Sequence, residues 1–176
     1  ANLEFATSKI ESAKVEQARQ LVLDVQKDIS DPANYIGLNT ADMRAFLASM
    51  SHSAVADLVE ALIEQIGKVE QAQGVNDELH VLAYPKRGVL RVATAKLRLA
   101  IDDAQQNGVP ELLLKPYRER LVEANAAQDL LKTKDRLISQ LKEVQGNSSD
   151  EIDEEVVRGW ESELQSVRRA IHDLEQ

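Results

Sequence analysis

Three histidines, a run of carboxylates at helical spacing and two blocks of like charge are the side chains here that could do chemistry. His52, His80 and His172 lie far apart in sequence, and none belongs to a recognisable Ser-His-Asp arrangement. Asp57, Glu60 and Glu64 follow one another at steps of three and four, which places them on one face of a helix. Carboxylates so spaced can build a di-metal centre inside a bundle, but such centres pair them with Glu-x-x-His on facing helices. No Glu-x-x-His occurs in this chain, and Lys68 stands four residues after Glu64, so a solvated face with a surface ion pair is expected. The absence of cysteine removes disulfides, thiolate nucleophiles and Cys-ligated metals. No Gly-rich phosphate loop and no EF-hand run is present. No enzymatic activity, cofactor or metal is expected. An enzyme would need His80 or His52 to meet a carboxylate in a cleft.

The charge blocks are the more informative feature. Between Glu78 and Asp102 no acidic residue occurs, yet Lys86, Arg87, Arg91, Lys96 and Arg98 do, which is +5 within a chain of net charge −9. Arg91 and Arg98 are seven apart and would share a helix face, with Arg87 extending the stripe and Tyr84–Gly88 as an exposed loop ahead of it. Such a face can dock a phosphate, an acidic peptide or a partner subunit. The bland alternative is pairing with acidic neighbours of the same bundle, such as the run at 150–155. That run is the complementary block: Asp150, Glu151, Asp153, Glu154 and Glu155 crowd one short stretch, where they could steer a basic partner or simply favour the start of a helix.

The elements that carry these blocks are helices. Ala, Leu, Glu, Gln, Lys and Arg dominate, and Gly and Pro are few. The clearest stripe is Val157, Trp160, Leu164, Val167, Ile171 and Leu174, at steps of three and four. A first helix is expected from about Leu3 to Ile29, with Ala13, Ala18, Leu21, Val22 and Val25 on its buried side. Asp31–Pro32 and Asn39 or Thr40 read as helix starts. A further helix is expected to run from Ser53 to a stop at Gly74. Residues 74–88 read as the least helical stretch, and the next helix is expected to run from Gly88 to Asn107–Gly108. Pro116 predicts a kink or a restart, followed by a helix to about Val144 whose stripe is interrupted at Gln128 and near Lys134. After Gly146–Asn147, Ser148 and Glu151 have capping-box spacing.

The expected architecture is therefore all-α: an elongated antiparallel helical bundle of five or six helices, ending in a long helical hairpin. It is read as one domain over residues 1–176, with a hinge at 74–88 between halves 1–73 and 89–176 as the alternative. No apolar run is long enough to span a membrane, and no signal peptide is expected. The acidic balance and the scarcity of aromatics speak against nucleic acid. Composition leaves the compartment open. The expected function is protein–protein interaction, or a structural or accessory subunit, acting through charged helical faces toward protein partners. Self-association is compatible with the same faces. The alternative is a ligand-binding or sensory bundle with inward polar groups near Asn125 or Gln128.

Overall fold

The computed structural model describes the backbone of residues 2–50, 55–146 and 153–175, and the side chains of 12–50, 55–145 and 153–175. Six α-helices make up most of it: α1 (Asn2–Ser30), α2 (Thr40–Ala48), α3 (Ala56–Ala83), α4 (Thr94–Gln106), α5 (Glu111–Gly146) and α6 (Glu154–Glu175). Two 3-10 turns, Pro32–Gly37 and Val89–Arg91, complete them, and no strand occurs among the described residues. The protein is an all-α helical bundle. Its contacts divide it into two compact units, Ala1–Glu78 with Gly108–Leu113, and Leu79–Asn107 with Leu114–Gln176.

In the first unit, Val59, Leu62, Ile66 and Val69 of α3 recur at steps of three and four and pack with Val22 and Ile29 of α1 and Leu47 of α2. Asp31 caps the first 3-10 turn by accepting from the Ala33 N–H at 2.9 Å, with Pro32 opening the turn. Asn39 caps α2 through the Asp42 N–H at 3.2 Å. Both starts were legible as caps. The expected stripe of α1 needs correction, because Ala13 and Leu21 face solvent while Val22 and Ile29 are buried. Two polar groups fasten this unit. The Gln73 amide donates to the Leu38 carbonyl at 2.9 Å and to that of Tyr35, so it holds the 3-10 turn against α3. Arg44 of α2 donates two bonds of 2.7 Å to the Glu70 carboxylate of α3. That bidentate bond holds Glu70 below the usual carboxylate range and raises Arg44; desolvation opposes it in both, and a smaller Coulombic attraction adds to it.

The second unit is built on α4, α5, α6 and the end of α3. Leu164, Val167 and Ile171 of α6 are buried and cluster with Leu137 of α5. Trp160 and Leu90 pack against the same cluster, which gives Trp160 the core role its position suggests. Leu174, the last residue of the expected stripe, is half-exposed. Along α5, Leu114, Tyr117, Ala124, Ala127 and Leu137 are buried; on α4, Leu97, Ile101 and Ala104 are buried. Alanines on both helices allow the backbones to approach closely.

Four expected boundaries are corrected. Helix α3 does not stop at Gly74; it continues to Ala83. Glycine costs a helix interior about 1 kcal/mol relative to alanine, and here Ala72, Leu79 and Ala83 are buried on either side of it. Burial outweighs propensity. Gly74 does not have the positive φ of a helix-ending glycine; Gly108 (79°), just past the end of α4, does, while Gly88 (77°) opens the Val89–Arg91 turn. The next helix starts at Thr94 rather than Gly88, because the chain first makes the Val89–Arg91 turn. Helix α5 runs through Pro116 from Glu111, so of the two expectations there the restart is overturned. The hydrogen bond lost there is that of the Leu112 carbonyl, and Leu112 is exposed enough for water to replace it. Finally, α6 begins under Asp153, whose carboxylate accepts from the Glu155 N–H at 2.9 Å. Ser148 and Glu151, expected to form the cap, lie outside the described residues.

Candidate functional site

The cationic segment is positioned by three unlike pieces of backbone. At the end of α3 the chain turns through Pro85–Gly88, closed by the Gly88 N–H donating to the Pro85 carbonyl at 3.0 Å. Lys86 and Arg87 occupy the middle of that turn and are exposed. Gly88 is needed there for its φ of 77°, and a Cβ would stand 3.7 Å from the Leu174 carbonyl, an ordinary contact. Arg91 ends the following 3-10 turn, which Val89 and Leu90 anchor by burying their side chains, fully and partly respectively. Lys96 and Arg98 lie on α4 and are exposed. The expected common helix face for Arg91 and Arg98 is thus a correction: the chain is not helical at Val92–Ala93, so the seven-residue spacing does not act as two helical turns. The break is set by Val92, whose buried side chain and carbonyl are both engaged.

Gln128 holds that break. Its amide donates to the Val92 carbonyl at 3.1 Å, and its oxygen accepts from the Thr94 hydroxyl at 3.2 Å. The residue that interrupts the apolar stripe of α5 is therefore a fastener for the start of α4. Both ends of its amide are used inside the chain, which leaves neither aimed at a ligand.

Among the described residues, none of Lys86, Arg87, Arg91, Lys96 and Arg98 has a carboxylate within ion-pair distance. Lys14, Arg19, Lys27, Lys115, Lys142, Arg168 and Arg169 likewise have no ion pair among the described residues, so what distinguishes the five is that no carboxylate interrupts them in the chain; other cations are paired. Arg44 is paired with Glu70, Lys68 with Glu64, Arg120 with Glu123, Lys132 with Asp129, Arg136 with Glu163 and Arg158 with Glu154. A side chain fixed to a neighbour must lose that contact to meet a partner; these five need not.

Beside the turn stands a group the sequence did not announce. Tyr84 follows α3 directly and has its ring 4.8 Å from that of His80 and 6.5 Å, edge-on, from that of Tyr117. The Arg120 guanidinium lies 5.1 Å from the Tyr84 centroid. Arg120 is itself held by a bond from Nε to the Ala83 carbonyl at 3.2 Å and by Glu123 at 2.9 Å. The i, i+4 spacing of His80 and Tyr84 would have signalled the pair, had residues 74–84 been read as helical. Arg120 is far away in sequence and gave no local signal.

The other candidates resolve as follows. Glu154 pairs with Arg158 at 3.0 Å, Asp153 caps α6, and Glu155 is exposed in its first turn. Asp150, Glu151 and His52 lie outside the described residues. Asp57, Glu60 and Glu64 are exposed along an open depression of α3, and Glu64 makes the expected pair with Lys68 at 3.1 Å. No group of three or more metal-ligating side chains occurs among the described residues. His80 meets an aromatic ring, with no carboxylate at ion-pair distance among the described residues; His172 is exposed in the last turn of α6. No described helix is long and apolar enough to cross a membrane. Comparison of the chain with protein-family models, with curated proteins and with solved structures gives no match.

Proposed function

We propose that this protein is a non-enzymatic interaction or accessory subunit that docks an acidic protein partner on the segment 86–98. The observation that carries this is the contiguous set Lys86, Arg87, Arg91, Lys96 and Arg98, exposed and without ion-pair partners among the described residues. Complementary charge steers encounter and fixes orientation, so the partner should present carboxylates at matching spacing. The acidic start of α6 is the counterpart surface in the same reading, offered to a basic partner. The helices supply the platform: buried Val89, Val92 and Leu97 fix the backbone from which the cations project.

The test is a fluorescence-anisotropy titration of a glutamate-rich peptide into wild type and into the Arg87→Gln/Arg91→Gln/Arg98→Gln variant. Wild type should bind with an affinity that falls as salt rises. The variant should bind at least tenfold more weakly while its thermal unfolding is unchanged. Equal binding by the two proteins removes the arginines from the site.

A further inference from the structure

We infer that the docking segment has an aromatic anchor at Tyr84, and that the partner segment it fits carries an aromatic side chain among its carboxylates. This rests on the proposed acidic partner and adds an apolar contact at the edge of the cationic segment. Tyr84 leaves 43% of its surface in solvent, and His80 beside it is exposed. An exposed tyrosine is ordinary by itself. This one stands directly before the Pro85–Gly88 turn, so an aromatic group and two unpaired cations, Lys86 and Arg87, are adjacent in the chain on a closed turn.

The ring is also held in advance of any partner. Arg120 lies against it at 5.1 Å, and Arg120 cannot wander, because its Nε is bonded to the Ala83 carbonyl and its Nη1 to Glu123. Tyr117, buried on α5, borders it edge-on at 6.5 Å. A rigid tyrosine gives a large contact area with few rotamers left to freeze, which is why such residues dominate binding energy at interfaces. Flanking cations alone would accept any anionic chain. The aromatic step adds a demand for a flat apolar group between the partner's charges.

A single-stranded nucleic acid would offer anions and stackable rings as well. Tracking one takes successive aromatic platforms along a basic groove. From Leu79 to Asn107 the chain has one aromatic residue besides His80, which is Tyr84. An acidic peptide with one aromatic residue matches that count.

The experiment uses the full chain and two labelled peptides, each with glutamates on both sides of a central residue that is Trp in one and Ala in the other. Wild type should prefer the Trp peptide by about tenfold, the usual size of one good aromatic anchor. Tyr84→Ala should abolish that preference and leave the Ala peptide's affinity unchanged, and Tyr84→Phe should keep it. Equal affinity of wild type for the two peptides overturns the anchor and leaves the cationic site standing. Failure of both peptides to bind overturns the cationic site as well. Equal weakening of both peptides by Tyr84→Ala assigns the ring a structural role and overturns the anchor. Tighter binding of an oligothymidylate of equal charge than of the Trp peptide overturns the acidic-peptide assignment.

Discussion

The two compact units share one composition of helix formers but distribute charge differently. The first, residues 1–78 with 108–113, has six basic against fourteen acidic side chains and is −8. The second, residues 79–107 with 114–176, has fifteen against sixteen and is −1. Nearly all of the chain's net negative charge therefore belongs to one unit, and the value of −9 describes the other poorly. Within the second unit the sign is segregated again: residues 79–107 carry five cations and two carboxylates. Whole-chain charge is a guide to solubility and steering, and local charge is what a partner meets. Each unit has its own apolar cluster and its own polar fasteners, Arg44–Glu70 and Gln73 in the first, Gln128 and Arg120 in the second.

If each unit depends on its own cluster, truncating one should be costly and local. Leu137 is 0% exposed among Leu164, Val167 and Ile171, and Leu137→Ala should destabilise by about 2–5 kcal/mol in denaturant unfolding. Hydrogen exchange should show the loss over α5 and α6 first, with the amides around Ile66 and Leu47 affected less. Uniform loss across both units would mean that they unfold as one.

The polar fasteners come next. Gln128→Ala removes the partners of the Val92 carbonyl and the Thr94 hydroxyl and should cost about 1–2 kcal/mol. Exchange should quicken at the start of α4. Gly88→Ala should cost about 1 kcal/mol, from the backbone conformation rather than from a clash, and both thermal and chemical unfolding can read it.

These positions also show what was legible in the sequence. The centre of the α6 stripe, Leu164, Val167 and Ile171, could be read because steps of three and four place residues on one helix face, though Leu174 at its end is exposed, and Asp31 and Asn39 could be read because a cap is a local event. Gly74 misled for the opposite reason: a local preference for ending a helix was outweighed by burial of Leu79 and Ala83, which only the fold supplies. The cations could be counted in the sequence. Their arrangement could not, because the break at Val92–Ala93 depends on Gln128, 36 residues from Val92. Tyr84 was visible, but the Arg120 that holds it was not.

The smallest effect concerns acid. Glu70 is held below the ordinary carboxylate range by Arg44, so its contribution to stability is complete above the unfolded-state value and is lost as pH falls through the lower, folded one. Both side chains are more than a third exposed, which screens the pair. Glu70→Gln should therefore lower stability slightly and evenly above about pH 4.5 and flatten the acid limb, so that the two proteins converge as pH falls. A gap between the two proteins that persists or widens in acid would show that the carboxylate has a further role.

The basic segment itself can be located by amide chemical-shift mapping of the isotope-labelled chain during titration with the glutamate-rich peptide. Shifts concentrated at residues 84–98, saturating together and fading as salt is raised, are the expected result. Shifts concentrated in the first unit or at the start of α6, or none at concentrations where anisotropy reports binding, would contradict docking on the segment 86–98.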